Sequence, residues 1–196
     1  MLFDLPHAKI INVRPERVSD EFVNCHLRLS ALRDPHLESA DFDFTIAEAL
    51  KSVGYATKAV GKWHLGDQPE FLPRRQGFDY YFGLPYSNDN SKYHPSLASE
   101  MPPLPLLEGE KVAELDPDQS TFTARFTAKG IDFIERHKDR PFFLYLPHVM
   151  PHVPIFASAK FKGRSARGLY GDVVEELDDA IGTVLAKLRD TGLEQN

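Results

Sequence analysis

In GYATKAVGKWHLG, residues 54–66, a lysine and a histidine stand two positions apart at the end of an apolar run. Side chains of a strand alternate between its faces, so a strand here places Lys62 and His64 on the same side. Two cationic or proton-donating groups on one side suit an anion held between them. The phosphate-cradling pattern GxxxxGK[ST] does not apply: Ala56 stands where its first glycine belongs, and Trp63 follows the lysine. Taken alone, the pair reads more readily as a surface lysine and a satisfied loop histidine.

HVMPH, residues 148–152, has two histidines at a spacing that binds zinc on a helix. Pro147, Pro151 and Pro154 forbid a regular helix, so the zinc reading fails. The segment instead follows an apolar run. In open parallel sheets ligands bind beyond the carboxyl ends of strands, which singles out His152. His148 reads as a structural or solvent-exposed histidine. PYSNDN, residues 85–90, is accounted for by turn chemistry, and it lacks the glycine and distal glutamate of a calcium loop. Cys25 reads as buried or incidental, Trp63 as packing, and Asp178 and Asp179 as a solvated helix face.

These residues need elements to hold them. Thr45 and Glu48 form a capping box, and Ile46, Ala49, Leu50 and Val53 give one apolar face ending at Gly54. That predicts a helix followed closely by a strand over 55–62. Residues 67–118 are rich in proline and read as mostly irregular. A second helix is expected from Asp118 to His137, with Phe122, Phe126, Phe133 and Ile134 buried and Gly130 weakening it. PFFLYLP, residues 141–147, predicts a fully buried strand. A long helix is expected over 168–190, with Leu169, Val173, Leu177, Ile181, Val184, Leu185 and Leu188 as its stripe. The alternation implies an α/β layered domain with a mainly parallel sheet. Residues 1–42 show no sustained period and remain unassigned, leaving 43–196 as the organised part.

The chain has 196 residues, enough for one domain with a substantial core. A net charge of −6 argues against a general partner of nucleic acid or anionic membranes, so any anion needs a local basic pocket. A single cysteine rules out an internal disulfide. No run of about eighteen apolar residues occurs, and MLFDLPHAKI lacks a signal-peptide pattern.

GYATKAVGKWHLG, RRQGFDYYFGLPYSND, PFFLYLPHVMPHVP and YGDVVEELDDAIGTVL, in that order, resemble the type I sulfatases. The resemblance implies a partial α/β/α sandwich with a mainly parallel sheet, of the alkaline-phosphatase-like type. It implies hydrolysis of the sulfate ester of an aryl or carbohydrate substrate. By the same resemblance, Lys62 binds a sulfate oxygen and steadies charge at the nucleophile. His64 bonds the nucleophile and acts as base when the sulfated intermediate breaks down. His152 sits by the bridging ester oxygen, and Ser87 supports the lysine and histidine. Calcium and formylglycine are expected of the full-length family. Here Cys25 is followed by His26, Leu27 and Arg28 rather than completing C-x-P-S-R, and the paired metal-binding aspartates have no counterpart, Asp41 and Asp43 standing in another context. The expectation is therefore an internal piece of a sulfatase, inactive alone, with neither metal ligands nor nucleophile of its own. The alternative is a non-catalytic remnant that binds sulfated ligands.

Overall fold

A computed structural model describes residues 45–194. The unassigned N-terminal segment, with Cys25 and Asp41, lies outside the described residues, as does Asp43. In chain order the elements are α1 (Ile46–Ser52), β1 (Ala56–Lys62), β2 (Tyr80–Leu84), β3 (Pro105–Glu108), β4 (Lys111–Leu115), α2 (Phe122–His137), β5 (Phe142–Tyr145) and α3 (Gly168–Asp190). One five-stranded sheet has the order β4-β3-β2-β1-β5. Its centre is parallel: β1 pairs with β2 on one side and β5 on the other. Antiparallel β3 and β4 extend the β2 side.

Alternation along the strands divides the apolar residues between two faces. Val60, Phe82, Leu106 and Leu144 meet Phe122, Phe126 and Val173 from α2 and α3. Ala59, Tyr81, Leu107 and Phe143 meet Ala47 of α1, with Trp63, Leu72 and Phe78. The result is helix, sheet and a thinner layer of helix and turns. β1 is buried along six of its seven residues, as a central strand covered on both faces must be.

The capping box forms as expected, Glu48 N donating to Thr45 Oγ1 at 3.1 Å and Thr45 N to Glu48 Oε2 at 2.8 Å. The apolar face expected of α1 does not: Ala47 is its buried residue, while Ile46 and Val53 are exposed. The helix docks through the Ala47 side instead, where Ala47 packs with Trp63 and Phe78 and Gly77 lies close on the Ala47–Glu48 backbone. The region 67–118 is not mostly irregular, since it holds β2, β3 and β4 and two short 3-10 turns. β4 escaped notice because it is exposed throughout and shows no apolar alternation.

α2 begins at Phe122 after a 3-10 turn, Gln119–Thr121, capped by Asp118. Gly130 is where that helix lies close on the sheet, since a Cβ there would meet Leu146 at 3.4 Å and Leu144 at 3.5 Å. β5 is half-buried rather than fully buried, because among the described residues it pairs only with β1. α3 is turned away from its predicted stripe. It buries Asp172, Val173, Glu176 and Ala180 and exposes Leu169, Ile181 and Leu185. The cause is polar: Asp172 accepts from the amides of Gly163, Arg164 and Ser165, and Glu176 from that of Ser158.

Candidate active site

β1 leaves the sheet between the ends of its two parallel neighbours. Lys62 N donates to Pro147 O at 2.9 Å, Trp63 N to Leu84 O at 2.9 Å, and His64 N to Pro85 O at 3.0 Å. Glycines make this approach possible. A Cβ on Gly61, whose φ is +127°, would lie 2.0 Å from Pro147 O, and one on Gly83 would lie 1.8 Å from Gly61 O. Trp63 is buried and donates Nε1 to Phe71 O at 2.9 Å, tying the following loop down. His64 itself is not in the strand. Its φ of 55° is left-handed, so strand alternation is not what sets its direction relative to Lys62.

His152 belongs to the turn after β5, which carries cis peptides at Met150–Pro151 and Val153–Pro154. Its Nδ1 lies 2.6 Å from Val153 O, and a carbonyl only accepts, so Nδ1 carries the proton. Nε2 is then the nitrogen left to bind or exchange a proton. Ser87 Oγ stands 3.5 Å from the same Nδ1, which makes His152 its side-chain partner. The loop bearing Ser87 is fixed by Asn88, whose Nδ2 donates to Gln119 Oε1 at 2.9 Å and Pro154 O at 3.1 Å. Gln119 Nε2 returns a bond to Asn88 O at 3.1 Å. PYSNDN thus joins the end of β2 to the His152 turn and the start of α2, which is more than turn chemistry.

The ammonium of Lys62 has no hydrogen-bond or ion-pair partner among the described residues. Burial pushes its pKa down, and the carboxylate of Asp89 opposes that. His64 Nε2 is buried and unpartnered. Its pKa is also pushed down, first by burial and then by Lys62, with His152 adding to the effect and Asp89 opposing it. Lys62, Asp89 and His152 thus all act on His64, and all four residues stand at or just beyond the carboxyl ends of parallel strands. Asp89, with Oδ1 buried and unpartnered, was missed by sequence reasoning. Its signal was its position just past a parallel strand.

Beside His64 opens a cavity of about 410 Å³, lined by Asp67, Tyr86, Asn90, His94, Leu97 and Met101 among others. His148 is elsewhere: it lines a groove with Leu146, Met150, Leu177 and Ile181, its two ring nitrogens buried without partners. It is a structural histidine and not a solvent-exposed one.

Neither group expected of the full-length family fits the residues described. No three or more His, Cys, Asp or Glu side chains stand together as a metal site among them, and Cys25 lies outside them. What the site can carry is anion binding and proton movement.

Comparison with known proteins gives the family. The Sulfatase family model matches residues 29–196. N-acetylgalactosamine-6-sulfatase of Mus musculus is 38% identical over 162 residues, covering 77% of this chain and 30% of that protein. Arylsulfatase A of Homo sapiens is 38% identical over 167 residues, covering 77% of this chain and 33% of that protein. The chain therefore spans about a third of the length of these relatives. Among solved structures, the PsFucS1 sulfatase from Pseudoalteromonas sp. superposes with a TM-score of 0.65 at 25% identity, covering 75% of this chain and 34% of that one. Ps i-CgsB in complex with k-i-k-neocarrahexaose gives 0.59 at 26% identity, covering 77% and 37%. The neighbours share the alkaline-phosphatase-like fold, and with the family model matching most of its length, this chain belongs to the sulfatase family.

Proposed function

We propose that this chain carries the sulfate-binding side of a sulfuric ester hydrolase acting on a sulfated carbohydrate or aryl ester. The observation that carries the reading is the Lys62 ammonium, without a hydrogen-bond or ion-pair partner among the described residues, together with the buried, unpartnered His64 Nε2, on which both Lys62 and His152 act electrostatically. A half-buried cation with no hydrogen-bond or ion-pair partner among the described residues is stabilised by an incoming anion, and a dry, prearranged donor stabilises charge on sulfate oxygens strongly. Lys62 takes a sulfate oxygen. His152, its Nδ1 proton already given to Val153 O, presents Nε2 to the bridging ester oxygen and protonates the departing alcohol when it holds a second proton. His64, held toward its neutral form by burial and Lys62, accepts a proton. Ser87 steadies the His152 ring. The names of the relatives, an N-acetylgalactosamine-6-sulfatase and an arylsulfatase, support the two substrate classes.

The test is calorimetric titration of the purified chain with inorganic sulfate. Saturable binding is expected, weakened about tenfold or more by Lys62→Ala, the size of losing one hydrogen bond to a charged group. Absence of saturation in the unsubstituted chain overturns the reading. Since C-x-P-S-R does not occur in this sequence, the 196-residue chain is expected to bind aryl sulfate without releasing sulfate. Calcium-dependent release that Lys62→Ala abolishes would show that a nucleophile is present after all.

A further inference from the structure

The cavity beside His64 has a volume of about 410 Å³, within the roughly 300–1,000 Å³ of small-molecule sites. Its lining is apolar at Pro85, Leu97, Met101 and Pro102. It also carries Asp67 and three uncharged polar groups, Tyr86, Asn90 and His94, which make no hydrogen bond through the Tyr86 hydroxyl, the Asn90 amide or His94 Nε2 among the described residues. His94 is the most constrained of the three. Its Nδ1 lies 2.9 Å from Leu97 N and 3.2 Å from Ser96 N, and backbone amides only donate. Nδ1 must therefore be the bare, accepting nitrogen, which puts the proton of the neutral ring on Nε2. Nε2 is not among the buried unpartnered atoms, so this N–H is open to solvent. The loop spends the acceptor of the ring on its own backbone and leaves a donor, fixed in tautomer, on the cavity wall.

We propose that this cavity receives the part of the substrate beyond its sulfate ester, and that His94 is a specificity-determining residue there, donating Nε2–H to an oxygen of a hydroxylated ring. The inference rests on the sulfate reading of Lys62, His64 and His152, because His64 lines both places. Its chemistry is distinct from theirs. A neutral donor beside an apolar wall discriminates an oxygen-bearing ring from a bare aryl ring and adds nothing to the binding of free sulfate.

The experiment compares inorganic sulfate with a methyl hexoside 6-sulfate by calorimetry on the purified chain. Two variants are made. His94→Asn keeps an acceptor where Nδ1 stood and so holds the Ser96 and Leu97 amides, but it removes the Nε2 donor; His94→Ala removes both. The unsubstituted chain is expected to bind the hexoside sulfate more tightly than sulfate. His94→Asn is expected to lose about threefold to tenfold on the hexoside sulfate alone, the size of one neutral hydrogen bond. An unchanged hexoside affinity in both variants overturns the proposal. A parallel loss for both ligands in His94→Asn also overturns it, since His94 would then only brace its loop. If sulfate binds and the hexoside sulfate binds no better, the cavity assignment fails while the sulfate reading stands. If neither ligand binds, both fail together.

Discussion

At the scale of single residues, the site is a balance between burial and charge. Burial disfavours the charged forms of Lys62 and His64, and the Lys62 ammonium further disfavours the His64 imidazolium, while Asp89 is the carboxylate that opposes the lowering at both. Replacing Asp89 by Asn keeps the shape and removes the charge. The pKa of His64 is then expected to fall further, read by NMR titration of its ring protons, and an unchanged or higher value would remove Asp89 from the site. Lys62 and His64 were singled out in the sequence because GKWHLG crowds them between glycines and resembles a sulfatase motif. Asp89 was not, because Ser-Asn-Asp-Asn is also what an ordinary turn looks like, and only the fold brings that turn against the end of β1.

At the scale of elements, the central strand makes the site. β1 must run close to Pro147 on one side and β2 on the other so that Lys62, Trp63 and His64 can hang on their neighbours' carbonyls. Gly61→Ala puts a Cβ into the Pro147 carbonyl at a φ that disfavours any side chain. It is expected to cost more than about 1 kcal/mol in urea unfolding and to weaken sulfate binding as Lys62 shifts. Gly182→Ala is the control: its Cβ meets nothing within 4 Å in mid-helix, so stability should rise by roughly 0.5–1 kcal/mol. Equal effects from the two substitutions would mean that close strand approach does not position the site. β1 and α2 were readable from sequence because continuous burial and an aromatic stripe leave plain marks. β2, β3 and β4 were not, since prolines interrupt the region and β4 is solvated along its whole length. The length of α3 was readable but its rotation was not, because Asp172 and Glu176 face inward to hold backbone amides that no local pattern announces.

At the scale of the molecule, two sets of buried groups give two windows of pH sensitivity. Asp172 is held below the usual carboxylate range by the amides of Ser165, Gly163 and Arg164. A depressed carboxylate contributes stability that is present above its unfolded pKa of 3.8 and is lost as pH falls through the lower folded value. The histidines act earlier. Burial depresses His64 and His148 below 6.5, so between their folded values and 6.5 the unfolded chain binds more protons than the folded one. Stability therefore rises with pH across that window, and the cost of protonation is fully present below it. His148 isolates the effect, because Leu146, Met150, Leu177, Ile181, Val184 and Leu185 line its groove and burial is the one cause of its shift. Two unpartnered ring nitrogens in such a place cost stability even when neutral. His148→Leu is expected to raise the melting temperature at neutral pH and to flatten its decline below 6.5, leaving the acid loss tied to Asp172 unchanged. Thermal melts across the pH range decide it. A lower melting temperature at neutral pH would mean that His148 has a polar partner in solution, and an unchanged slope below 6.5 would mean that its ring does not stay neutral in the fold.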